Sequence, residues 1–465
     1  MLRWIVPPLL ALALYWPGLL CWFQKDDFAW LGLFNMIHSW ADFWNAMFHP
    51  YAQGTVRTLS ERVFFTLFYA MFGLHALPYR ILPFVTHIAN LTLINAIGTK
   101  LSGGSRAVGF WAAILWTINS NMAYALAWTA IYYELLCALV FLLSLWLLMR
   151  YAETNDRRFL AGQWAAYLTG FLVLEQNVVY PAIALVYAWC FARPLIRKVY
   201  PMFVPATLYT LLHFWVAPPV DSGPYQMFWN SSVFSTLWMY WKIALGPIKL
   251  INVGIHPSLG RSALVLVLTA ALLGWVLSRV LRRDWKAAFG AAWFFIVLAP
   301  LLPLRDHISD YYLTIPLAGL ALWGAMALQD GWRRGGRLGK VATAVLLVIY
   351  AAVNIPLARV NVMSFYHRSE DIRTIVEGVA AEGRSHPGKP IVLTGVAPEI
   401  FWSAIVHRPF RLYGVDQVYV SEGDRPAIDS VGSGLAAGDF FVESDLPGAR
   451  VLDLSGGRIR VVTGN

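Results

Sequence analysis

Two adjacent carboxylates, Asp26 and Asp27, follow a long apolar run in the stretch Gln24-Lys25-Asp26-Asp27. Carboxylates at the end of a membrane segment can deprotonate a hydroxyl nucleophile or hold a divalent cation. Their mutual repulsion pushes one pKa upward, which suits a base working near neutrality. The same pair also suits a helix start, with Asp27 accepting from the amides that follow. Tyr51 then precedes Val56-Arg57-Thr58-Leu59-Ser60-Glu61-Arg62. Here Arg57 and Arg62 offer guanidinium forks shaped for a phosphate or for anchoring at headgroups. No Gly-rich phosphate loop accompanies them, so the phosphate expected here belongs to a lipid.

A third cluster is Arg305-Asp306-His307-Ile308-Ser309-Asp310-Tyr311-Tyr312, a charged turn between apolar runs. Burying such a cluster is expensive, so it faces water or lines a site. Arg305 is a candidate phosphate ligand, oriented by Asp306 or Asp310; a turn with internal salt bridges is the alternative. His49, Glu134, Glu175, Asp306, His307, Asp310 and Tyr311 are the candidate substrate-lining residues. A carboxylate at the bilayer centre costs roughly 2.5–3.5 kcal/mol, and Glu134 and Glu175 both fall near span ends, where that cost is small. His87, Asn90 and Asn95, inside one apolar run, read as groups that hydrogen-bond between helices.

The elements that must position these groups are membrane helices. The chain of 465 residues is 58% hydrophobic and 13% charged, against about 25% charged in soluble domains. This excludes an ordinary cytoplasmic enzyme, a disordered chain and a secreted disulfide scaffold. The net charge of +10 sits mostly in short Lys/Arg clusters between apolar runs, as anchors against a membrane leaflet, so no nucleic-acid partner is expected. Cys21, Cys137 and Cys190 lie in or beside separate apolar segments and read as packing residues.

Apolar windows fall at about 4–23, 79–99, 107–122, 134–150, 160–175, 178–193, 200–217, 262–280, 287–304, 311–328 and 341–357. Segment 231–250 is ambiguous between a re-entrant and an interfacial helix. The run from Arg3 to Cys21 imitates a lipoprotein signal, but Leu20 stands where cleavage needs a small residue, so it reads as an uncleaved first helix. Dense basic connections (Arg150, Arg157 and Arg158; Arg193, Arg197 and Lys198; Arg279, Arg282, Arg283 and Lys286; Arg333, Arg334, Arg337 and Lys340) alternate with sparser ones containing Lys25, Arg57, Arg80, Lys249 and Arg261. The positive-inside rule puts the dense set and the N-terminus in the cytoplasm and the C-terminus outside.

The fold class expected is therefore a polytopic α-helical membrane protein of about 11 transmembrane helices, over residues 1–358, with an extracytoplasmic α/β domain over 359–465. Its first outer loop, about 24–78, carries Phe28, Leu31, Phe34, Ile37, Trp40 and Phe43 at helical spacing, predicting one amphipathic helix along the surface. A second interfacial helix is predicted over 63–72. In the C-terminal region, strands are expected at Ile391–Val396, Val415–Val420, Asp439–Val442 and Arg458–Val462, with a helix at Pro398–Val406. That domain is assigned a supporting or acceptor-presenting role.

Taken in order, the first helix, the outer Asp-Asp, the amphipathic loop, Arg57-Thr58-Leu59-Ser60 and Phe72-Gly73-Leu74…Tyr79-Arg80 resemble the GT-C superfamily of membrane glycosyltransferases. The pattern is most similar to the protein O-mannosyltransferase-like branch and to bacterial relatives of the tetratricopeptide-linked mannosyltransferases. Arg57-Thr58-Leu59 departs from that branch's Arg-Pro-Leu. Leu174-Glu175-Gln176 matches its Ser-Lys-Glu stretch without the Lys, and Tyr311-Tyr312-Leu313…Pro316 its Tyr-Leu-Pro turn. The resemblance covers roughly residues 1–330.

It implies transfer of a sugar from a polyprenyl-phosphate-linked donor in the lipid bilayer to a hydroxyl of a glycan, lipid or protein acceptor, on the outer face of a bacterial inner membrane. Asp26 or Asp27 corresponds to the family's catalytic carboxylate in a single inverting displacement. Arg57, Arg62 and Arg305 are then the donor phosphate ligands. The resemblance leaves open a divalent cation held by Asp26 and Asp27, and requires no nucleotide-sugar site. A lipid-linked polysaccharide ligase or polymerase is the alternative. A transporter is a further one, disfavoured because no inverted repeat is evident and the first outer loop is long.

Overall fold

The computed structural model describes residues 1–50, 54–246, 258–430, 440–443, 446–457 and 459–462. Tyr51, Lys249, Asp439, Arg458 and the side chain of Arg261 lie outside the described residues. The helices are α1 (Leu2–Tyr15), α2 (Pro17–Leu20), α3 (Asp27–Gly32), α4 (Trp40–Phe48), α5 (Phe64–Phe72), α6 (Ala76–Leu101), α7 (Arg106–Ile118), α8 (Met122–Ala127), α9 (Tyr132–Thr154) and α10 (Arg157–Gly170). They continue with α11 (Tyr180–Phe191), α12 (Ile196–Val199), α13 (Phe203–Val216), α14 (Ser232–Leu245), α15 (Ser258–Leu281), α16 (Phe289–Leu298), α17 (Pro316–Arg334) and α18 (Gly336–Ser385).

Among the described residues, five helical segments are long and apolar enough to cross a membrane: Ala76–Leu101, Thr129–Thr154, Arg193–Val216, Ser262–Leu281 and Gly336–Ser385. Proline bounds two of the other expected spans: Pro181 stands in the first turn of α11, and Pro300 lies in the turn after α16. The ambiguous segment contains α14, whose 14 residues reach about 21 Å, short of the ~30 Å hydrocarbon core. Leu208, Leu211, Trp215, Leu266, Val267, Leu273 and Leu277 are all exposed. Apolar surface on that scale is stable only against lipid, and the chain is an integral membrane protein.

Small residues let the inner helices meet. A Cβ at Gly98 of α6 falls 3.0 Å from Gly109 Cα of α7, and one at Gly290 of α16 falls 2.7 Å from the backbone of Trp323 in α17. The Trp293 indole N–H donates to the Ile315 carbonyl across that second contact, at 3.0 Å.

The single amphipathic helix expected through Phe28–Phe43 is broken. Ile37 and Ser39 are extended, and Ser39 Oγ caps α4 by accepting from the Asp42 amide. The polar Ser39-x-x-Asp42 pair outcompetes the helical continuation. The second interfacial helix is α5, entered through a π-helical turn, Thr58–Val63.

Helix α18 is 50 residues long, about 75 Å, and passes the expected domain boundary at 358/359 without interruption. Its middle packs on the membrane region, where the Trp22 amide donates to Ser369 Oγ and Arg359 to the Leu14 carbonyl. Its end supports a sheet of order β3-β2-β1-β4-β5: β1 (Ile391–Thr394), β2 (Val418–Ser421), β3 (Phe441–Val442), β4 (Arg450–Asp453) and β5 (Arg460–Val462). The first four are mutually parallel and β5 is antiparallel to β4. Strand β4 was not among the expected strands, since only Val451 and Leu452 supply its apolar signal.

Candidate active site

The turn after α2 turns sharply at Lys25, a non-glycine residue with φ 53°, a conformation that costs about 1 kcal/mol or more. The Lys25 amide donates to the Ser403 carbonyl at 2.8 Å, so the C-terminal region holds this turn. The turn sends Asp26 and Asp27 to opposite surroundings. Asp27 is fully buried: Oδ1 accepts from the Ala130 amide (2.6 Å), Oδ2 from the Gln24 amide (3.0 Å), and Arg80 Nη2 is 3.8 Å away. Arg80 in turn donates to the carbonyls of Cys21, Trp22 and Ala127. Burial, opposed chiefly by Arg80, raises the Asp27 carboxyl to about 7.

Asp26 is the accessible acid, its side chain 56% exposed, with Oδ1 3.2 Å from His407 Nε2. Among the groups its charge acts on are Tyr225, His307 and Tyr311. Burial pushes the His307 imidazole below its usual range and Asp26 opposes the shift. Rings close the surroundings: His307 lies 4.4 Å from Tyr225 and 5.8 Å from Tyr312, and Tyr311 lies 4.6 Å from Tyr312 and 6.0 Å from Trp128. The Lys25 ammonium sits 4.8 Å from the Trp128 ring centre. Burial and the Arg368 guanidinium lower its pKa.

Beyond the tyrosines is a second polar cluster. Arg57 donates to Glu175 (2.9 Å) and Glu61 (2.9 Å) and stacks 4.1 Å from the Tyr133 ring centre. The π-helical turn builds it: Thr58 Oγ1 donates to the Met47 carbonyl and Ser60 Oγ to the Val173 carbonyl, which presents Glu61 inward. Burial raises the Glu61 carboxyl to about 7, with Arg57 opposing. Glu134 is also fully buried, and neither of its oxygens has a hydrogen-bond partner. An unpaired buried carboxylate is costly, and Glu134 remains a candidate site residue. Burial raises the Tyr225 phenol, and the charges of both Asp26 and Arg57 act on it.

The other expected site residues divide. His307, Tyr311, Glu134 and Glu175 belong to these clusters. Arg62 does not present an open fork: it is buried and donates to the carbonyls of Ala46, His49 and Thr55, which ties down the loop. His49 thus contributes its carbonyl to Arg62. Arg305 pairs with Asp306 at 3.3 Å and lies 3.7 Å over the Phe228 ring, at the rim. Asp310 bonds to Tyr124. Asp26 and Asp27, facing different partners, do not fit a shared divalent cation, and among the described residues no group of three His, Cys, Asp or Glu side chains converges on a metal position. Lys25, Glu61, Tyr225, Arg368 and His407 were not singled out from the sequence. Lys25 and Glu61 carried a signal, their places beside the Asp pair and between Arg57 and Arg62.

No family sequence model matches the chain, and no curated protein matches it by sequence. Two solved structures are similar. One is the arabinofuranosyltransferase AftD from Mycobacteria, with TM-score 0.48 and 16% identity, over 90% of this chain and 31% of that one. The chain thus spans about a third of the mycobacterial protein's length. The other is ArnT from Cupriavidus metallidurans bound to undecaprenyl phosphate, with TM-score 0.46 and 13% identity, over 97% of this chain and 93% of that one.

Proposed function

We propose that the chain is a GT-C-type glycosyltransferase that moves a sugar from a polyprenyl-phosphate donor to a hydroxyl acceptor, with Asp26 as the general base. The observation that carries this reading is the placement of Asp26. It is an accessible carboxylate just past the apolar helices α1 and α2, 3.2 Å from the His407 imidazole, and its charge acts on His307, Tyr225 and Tyr311. Asp27, held by two amides, positions the turn.

In the proposed reaction the acceptor oxygen attacks the sugar C1 and its proton passes to Asp26. The C1–O bond to the lipid phosphate breaks, and the electron pair leaves with that phosphate. A single displacement of this kind inverts C1. Cations are needed where the leaving phosphate gains charge. Lys25 and Arg368 suit this role better than Arg57, whose guanidinium is occupied by Glu61 and Glu175, and better than Arg305, which is paired with Asp306. The acceptor faces the extracytoplasmic side, and the C-terminal domain contributes to the site through His407 and the Ser403 carbonyl.

The test is Asp26→Asn in purified protein supplied with a polyprenyl-phosphate sugar. Loss of a general base costs about 10²–10⁴-fold in rate, and donor binding is expected to stay intact because no phosphate ligand changes. Full transfer by the Asp26→Asn protein overturns the assignment.

A further inference from the structure

A second polar hollow lies away from this site, at the end of α11 and the turn after α15. It encloses ≈ 270 Å³ and is lined by Arg193, Arg283 and Lys286, with Trp189, Phe191 and Trp285 around them. Cys190 Sγ and the Trp285 carbonyl, 3.5 Å apart, join its two walls. Its one lining acid, Asp284, is ion-paired to Arg279. Among the described residues Arg193, Arg283 and Lys286 have no carboxylate partner; Arg193 and Lys286 instead lie 5.4 Å and 5.7 Å from the ring centres of Trp189 and Phe191. Three cations without a carboxylate partner around one hollow suit an anion.

The surroundings select the kind of anion. Trp189 and Trp285, both at least half exposed, stand at the rim, as tryptophans do at the headgroup level of a bilayer. Leu273, Leu277 and Leu281 recur every fourth residue along one face of α15, all exposed, and this stripe runs down to the turn carrying Arg283. A soluble phosphate has no use for such a stripe, whereas an acyl chain can lie along it. The backbone adds a further oddity. Arg283 is the left-handed residue that ends α15 (φ 60°), a position where glycine fits without strain and arginine does not.

We propose that this hollow binds the phosphate headgroup of an anionic phospholipid, with an acyl chain along the Leu273–Leu277–Leu281 stripe. A zwitterionic headgroup brings its own ammonium against the three cations and binds more weakly. With the orientation expected from the dense basic connections, the hollow lies at the cytoplasmic leaflet.

Native mass spectrometry of the full chain in neutral detergent, titrated with phosphatidylglycerol or phosphatidylcholine, tests this. The wild-type chain is expected to retain one phosphatidylglycerol at concentrations where phosphatidylcholine is lost. Arg193→Gln, Lys286→Gln and Arg283→Gly are each expected to weaken retention about fivefold, the effect of roughly one interfacial charge. Arg283→Gly also relieves the helix end, so it folds at least as well and its loss of lipid cannot be laid to misfolding. Arg337→Gln, in another basic connection, is expected to leave retention unchanged. The proposal is overturned by wild-type retention in the triple variant, by equal retention of the two lipids, or by displacement of phosphatidylglycerol with millimolar inorganic phosphate, which would mark a soluble-anion site.

Discussion

The Asp27 carboxyl accepts from two amides and faces Arg80, yet burial is the larger influence and lifts it to about 7. Its folded pKa lies above the ordinary value of 3.8, so the fold favours the protonated form. Its contribution to stability is complete below about 3.8 and is lost as pH rises through 7. Glu61, also raised to about 7 by burial, acts in the same direction. The melting temperature is therefore expected to fall between about pH 4 and pH 7, and Asp27→Asn to flatten part of that slope. The same substitution leaves the Gln24 or Ala130 amide unpaired, a cost of about 1–3 kcal/mol; an unchanged slope and stability would count against this account. At Lys25 the strained φ and the charge can be separated. Lys25→Gly is expected to keep or raise the melting temperature while raising KM for the lipid donor. An unaltered KM removes Lys25 from phosphate binding.

Helix packing depends on a few positions without side chains. Gly290 brings α16 against α17, where an added Cβ meets backbone atoms at 2.7 Å and 2.8 Å, from Trp323 and Gly319. Backbone cannot swing aside as a flexible side chain can. Gly290→Ala is expected to force the two helices apart, to strain the Trp293–Ile315 hydrogen bond and to lower stability by about 1–3 kcal/mol, read as a melting shift in detergent. An alanine variant as stable as the wild type would mean that the helices are free to slide. The π-helical turn at Thr58–Val63 acts differently. It aims Glu61 inward and Arg62 at three loop carbonyls, so one local irregularity supports both the charged cluster and the loop that covers it.

For the whole molecule, α18 is the connecting element. It leaves the α17 turn among basic residues, passes the membrane helices and ends beneath the sheet, where Glu382 pairs with Arg450 at 2.6 Å. His407 is thereby brought to Asp26, 381 positions away in the chain. His407→Ala is expected to slow transfer less than Asp26→Asn does, because the base itself survives. The orientation proposed from the basic connections is open to cysteine labelling. With native cysteines replaced, Arg337→Cys is expected to react with an impermeant maleimide only after permeabilisation, and Glu399→Cys in intact cells. The reverse pattern inverts the topology and moves the Asp26 site to the cytoplasmic face.

Composition and apolar run length were enough to read a helical membrane protein from the chain, because lipid solvation is set by the residues themselves. The Asp26-Asp27 pair, the Arg57 region and the His307–Tyr312 turn were legible for a similar reason: charged residues are rare in such a sequence and their positions stand out. Which aspartate is accessible was not legible, since the two differ only through the turn at Lys25 and the Ala130 amide that claims Asp27. Nor was the commitment of Arg62 to carbonyls and of Arg57 to Glu61 and Glu175, which depends on partners up to 118 positions distant. The long α18 hid in plain composition: its lower half is polar enough to pass for a separate domain, and only packing against both the membrane helices and the sheet makes it continuous. Local chemistry writes solvent preference into each segment, whereas the pairing of distant groups exists only once the chain has closed on itself.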